Sequence, residues 1–61
     1  MTVSLFVLGT EDCLSVAVWA QDFQEAQAIA DNDGFYTTDS GFCVPEEEVS
    51  LQLRLHNGAI N

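Results

Sequence analysis

Apolar positions come in five blocks along the 61-residue chain, separated by short acidic or glycine-containing stretches, and each block has its own periodicity. Residues 2–9, TVSLFVLG, are rich in β-branched and aromatic side chains, end in Gly9, and are apolar on both faces. That is the pattern of a strand covered on both sides, which predicts a central position in a sheet. Glu11 and Asp12 supply a polar turn, and residues 13–20, CLSVAVWA, return to strand character with Leu14, Val16 and Val18 on one face and Trp19 on the other. Two strands joined by so short a polar link predict a hairpin.

The next boundary is marked by capping chemistry. Asp22-Phe23-Gln24-Glu25 fits the capping box, in which the first side chain accepts from the fourth residue's amide and the fourth side chain reaches back. Phe23, Ala26, Ile29 and Ala30 then recur at helical spacing, and Gly34 offers the left-handed residue that closes a helix. Asp31 and Asp33 fall in the last turn and exit, where the helix dipole is negative and carboxylates are disfavoured.

Beyond the helix, 35–38 and 41–44 are short β-prone pieces around Asp39-Ser40-Gly41, a turn sequence that predicts a second, smaller hairpin. From Pro45 two periodicities conflict. Pro45, Glu46–Glu48, then Arg54 and His56, then Gly58 are helix start and stop signals, whereas Val49, Leu51, Leu53 and Leu55 alternate as in a strand. Leucine is a good helix former and only Val49 is β-branched, so helix is preferred over 45–57. The resulting expectation is one compact domain, 1–61, of the α+β class, with a small antiparallel sheet packed against one or two helices.

Composition changes the picture chiefly through charge. Ten Asp or Glu stand against a single Arg54 and no lysine, a net charge of −9. Such a surface does not bind nucleic acid or anionic lipid directly, because phosphate requires cations to neutralise it. It suits a partner that is itself basic. With 48% apolar against 18% charged residues the chain nevertheless has the means to collapse into a globule.

Candidate chemistry is sparse. The stretch 31–41, DNDGFYTTDSG, resembles a calcium loop only at its start, since positions 5, 6 and 12 fall on Phe35, Tyr36 and Phe42, none of which suits an EF-hand. His56 is the sole histidine and has no supporting nucleophile motif; Cys13, Cys43 and His56 contain no closely spaced ligand pair for zinc. Hence no catalytic residue, metal ligand or cofactor is expected, and the chain is not read as an enzyme. Cys13 and Cys43, flanked by Leu14 and Phe42, are expected to be buried free thiols. The absence of a signal-peptide pattern and of a long apolar run predicts a cytoplasmic, reduced protein.

The acids form two sequence clusters, Asp31/Asp33/Asp39 and Glu46/Glu47/Glu48, and the intervening strand-turn-strand segment is expected to bring them to one edge. Phe35 and Tyr36 lie between them. Both aromatics suit a core, and Tyr36 also suits an anchor against Lys or Arg. Ten carboxylates match the charge on about 17 Å of B-DNA, roughly five base pairs.

A lysine-free acidic domain of this size without catalytic motifs resembles the small inhibitors encoded by bacteriophages, especially anti-CRISPR proteins that act as DNA mimics. The resemblance spans the whole chain and rests on size and charge, with no family motif. It implies a basic DNA-binding partner in the host bacterial cell, such as the large subunit of a type I Cascade surveillance complex, the I-C kind included, whose DNA groove the inhibitor occupies. The partner-binding residues expected on this reading are Asp31, Asp33, Asp39, Glu46, Glu47, Glu48 and Tyr36. The alternative is a small interaction or regulatory module whose acid serves solubility.

Overall fold

The computed structural model describes residues 2–61. β1 (Ser4–Thr10) and β2 (Ser15–Ala20) form the expected hairpin, with Ser4 opposite Ala20 and Gly9 opposite Ser15. α1 (Phe23–Asn32) follows, then β3 (Thr37–Cys43), a single 3-10 turn at Glu46–Glu48, and α2 (Val49–Leu55). The sheet order is β2-β1-β3, all antiparallel, so the doubly apolar first strand is indeed the central one. This is a small α+β fold.

Alternation along β1 divides the interior into two clusters. Phe6 and Leu8 join Val16, Val18 and Ala20 beneath Ala26 and Ala30 of α1, with Phe23, Ile29 and Ile60 at the margin. Leu5 and Val7 join Ala17 and Val44 on the other face, against Trp19, Val49, Leu53 and Ala59. Each helix therefore covers one face of the sheet.

Local chemistry explains the boundaries of α1. Asp22 Oδ1 accepts from the Glu25 amide at 2.7 Å, and Glu25 Oε1 accepts from the Gln21 amide at 2.7 Å, so the predicted cap forms with its return bond one residue earlier than in the standard box. At the exit Gly34 takes φ 96°, the Phe35 amide donates to Ala30 and the Gly34 amide to Asp31, which is a Schellman closure. The β1–β2 loop is also well defined. The Cys13 amide donates to Thr10 and the Thr10 amide to Leu14, with Cys13 at φ 67°, the three-residue hairpin loop that ends in a left-handed residue.

Four sequence-based expectations require correction. Asp39-Ser40-Gly41 makes no hairpin turn: β3 runs straight through it. Between the pairs Leu8↔Gly41 and Thr10↔Thr37, β1 advances two residues while β3 advances four, so the turn-prone residues are absorbed as a bulge. Leu14 was expected to share a strand face with Val16 and Val18 but is 68% exposed: it closes the hairpin loop, one residue before β2 begins. Pro45 is not the first helical residue; at φ −60° and ψ 147° it is extended and precedes the 3-10 turn. Finally, Cys13 and Cys43 are free and exposed, not buried, since one sits in the loop and the other at the end of an edge strand.

Among the described residues no helix is long and apolar enough to cross a membrane.

Candidate functional site

Every one of the ten acidic side chains is exposed. Their arrangement follows from strand direction. The Glu11 amide donates to Tyr36 at 2.9 Å, and a pocket of about 300 Å³ is walled by Thr10, Glu11, Asp12, Gly34, Phe35 and Tyr36. The exit of α1, carrying Asp31 and Asp33, thus meets the β1–β2 loop. Four carboxylates gather at this end around Tyr36, which is 76% exposed, and Phe35, which is 38% exposed. Both aromatics lie outside the core.

Asp39 lies partway along β3, and Glu46 to Glu48 lie beyond its far end, where Glu46 shares a cleft with Val3, Ser4 and Trp19. Thr37 pairs with Thr10 and Cys43 with Phe6, so four residues of β1 at about 3.3 Å each separate the two ends of β3 by about 13 Å. The two sequence clusters are therefore not brought to one edge, because the segment between them is a continuous strand where a hairpin was expected. What the fold brings to Asp31 and Asp33 instead is Glu11 and Asp12. Sequence reasoning did not select those two; the signal was the hairpin itself, which returns its loop to the level of the helix exit.

Three acids have local duties. Asp22 and Glu25 cap α1, while Asp12 accepts from the Thr10 hydroxyl and, at 3.3 Å, from the Leu14 amide. The Thr10 hydrogen bond holds the Asp12 carboxyl below its ordinary pKa.

The opposite face carries a second feature. A shallow trough of about 880 Å³ opens between β3 and α2, floored by Val7 and walled by Leu14, Phe42, Gln52, Leu55 and His56. Leu14, Phe42 and Leu55 are 68%, 48% and 65% exposed, so its apolar walls face solvent. Their exposure resolves the conflict over 45–57. On a helix, Val49 and Leu53 form one stripe and Leu51 and Leu55 another about 200° away, and only the first faces the sheet. Strand-like alternation has become two helical stripes, one turned inward and one outward.

Ser15 Oγ lies 3.4 Å from His56 Nδ1 on the surface. Among the described residues no three potential ligands group to hold a metal. Cys43 sits opposite Phe6 and Cys13 beyond Thr10, at least about 13 Å along the strand direction, too far for the roughly 7 Å limit between disulfide Cα atoms. No family model, curated protein or solved structure matches the chain.

Proposed function

We propose that this protein is an inhibitor that occupies the basic surface of a DNA-binding protein by presenting carboxylates where phosphates would lie. Its partner on this reading is a basic subunit such as the large subunit of a type I Cascade complex, encountered in the cytoplasm of a bacterial host. The observation that carries the reading is the uniform exposure of all ten acids against one cation. Their mean density over 4146 Å² of surface corresponds to about 20 Å between neighbours, too sparse for mimicry if spread evenly. Clustering is what raises it. Four acids at one end flank a projecting tyrosine, whose ring suits a cation–π contact with arginine or lysine. Over the longest dimension of 27 Å the ten acids average one per 2.7 Å, against about 1.7 Å per charge in duplex DNA.

A gel-shift competition tests this directly, using a type I-C surveillance complex and its target duplex titrated with the protein at low and high salt. Displacement of duplex that weakens steeply with salt is the expected result. Asp31→Lys with Asp33→Lys, or Glu46→Lys with Glu48→Lys, should abolish displacement while the circular dichroism spectrum is retained. The identity of the complex falls if the duplex stays bound at every protein concentration.

The exposed walls of the trough favour a second reading, a protein-interaction module that binds through apolar contacts. Its association would hardly respond to ionic strength, so the same salt series separates the two.

A further inference from the structure

The two outer strands of the sheet are finished differently. Along β2, the Trp19 amide donates to Ile60 at 3.0 Å, the Ile60 amide donates to Ala17 at 2.9 Å, and Asn61 Nδ2 donates to Trp19 at 3.2 Å. That edge is closed by the chain's own residues. β3 forms the other edge, and among the described residues no strand pairs with its outer side. The Val44 amide donates to Leu5 at 2.8 Å, and in an antiparallel ladder bonded and non-bonded pairs alternate. Phe42 therefore bonds to Val7, while the backbone groups of Gly41 and Cys43 point outward.

Between those two residues, Phe42 lines the trough together with Leu55. We infer that β3 is a docking edge for an extended, lysine- or arginine-bearing segment of a protein partner, which adds to the sheet as a fourth strand at Gly41 and Cys43 and lays an apolar side chain against Phe42 and Leu55. Strand addition of this kind draws affinity from main-chain hydrogen bonds and specificity from side-chain pockets.

Charge selects the occupant. The edge carries Asp39 within it, with Asp33 before it and Glu46 beyond it, and no lysine blunts it. A second copy docking edge to edge would bring one −9 body against another and set like charges along the new seam. A cationic segment meets opposite charge along the same path. This choice of partner rests on the acidic-inhibitor reading above, whereas the open edge does not.

The probe is an acetylated, amidated peptide of alternating lysine and valine, compared with the same peptide N-methylated at alternate residues, which keeps charge and side chains but removes strand-pairing donors. Amide hydrogen exchange at Gly41 and Cys43 is followed by nuclear magnetic resonance. Saturating unmodified peptide should slow both amides by about tenfold or more, while the N-methylated peptide leaves them unchanged. Phe42→Ala with Leu55→Ala, both at exposed positions, should weaken binding of the unmodified peptide about tenfold at unchanged fold. If both peptides bind in a salt-sensitive way without slowing either amide, the acidic surface is confirmed as cation-binding and strand addition is overturned. Failure of both peptides to bind at low salt overturns both readings. Protection of the two amides that grows with protein concentration alone overturns the cationic occupant in favour of a second copy.

Discussion

The two helices lie on opposite faces of one sheet, yet they are held to it by different means. α1 sets Ala26 and Ala30, both fully buried, against β1 and β2, and small side chains let its backbone come close. α2 has no buried residue; it rests on Val49 and Leu53 and keeps Leu51 and Leu55 in solvent. The ends differ as well. α1 has a side-chain cap from Asp22 and a glycine at its left-handed exit, whereas α2 starts from Glu48 without a side-chain cap and exits through Asn57 at φ 57°. The contrast teaches that one face of the sheet is completed within the chain and the other is left partly open, and that the open face is the one bordered by the unpaired edge of β3.

Breaking the close-packed side should have the largest effect. Gly41 faces α1, and a Cβ there would stand 2.6 Å from Phe23 Cε1 and 2.7 Å from the Val7 carbonyl oxygen. Gly41→Val should destabilise by about 3 kcal/mol in urea titration, since neither the edge-packed Phe23–Phe6 pair nor the backbone can yield freely. The open side is probed by two leucines two residues apart, one on each stripe, so Leu53→Ala is compared with Leu55→Ala. The first should cost about 2 kcal/mol and shift the emission of Trp19, which packs in the same cluster; the second should cost under about 0.5 kcal/mol and leave the emission alone. Equal costs would remove the distinction between inward and outward stripes.

Smaller changes sharpen the contrast at the helix ends. Asn57→Gly gives α2 the left-handed residue that α1 already has at Gly34, and should raise stability by about 0.5 kcal/mol in the same titration. The smallest effect lies in the hairpin loop near both helix exits. There the Thr10 hydroxyl lowers the Asp12 pKa from its ordinary 3.8, so the stabilisation is complete above that value and is lost as pH falls through the lowered one. Thr10→Val should return the Asp12 titration, read from its carboxyl carbon resonance, toward 3.8.

The difference between the helices also marks how far the sequence could be read. α1 was specified three times over, by its cap, its apolar spacing and Gly34, and all three agree. α2 was ambiguous because a period of two over seven residues satisfies a strand and also paints two stripes on a helix; only the sheet decides which stripe turns inward. The course of β3 was misread for a related reason. Turn-prone residues signal a change in backbone path, and a bulge uses them as readily as a hairpin. That single choice governs the candidate site, since a hairpin would have gathered the acids and a strand separates them. The exposure of Cys13, Leu14 and Cys43 likewise depends on where loop and edge fall, which apolar neighbours in sequence do not report.

Arg54, the one basic residue of either kind, stands in the last turn of α2. Trypsin consequently has one peptide bond to cut, and cutting it separates α2 from Ile60 and Asn61, which close the outer edge of β2. The rate of that single cleavage is a clock for the opening of the looser helix alone, readable by mass without any label.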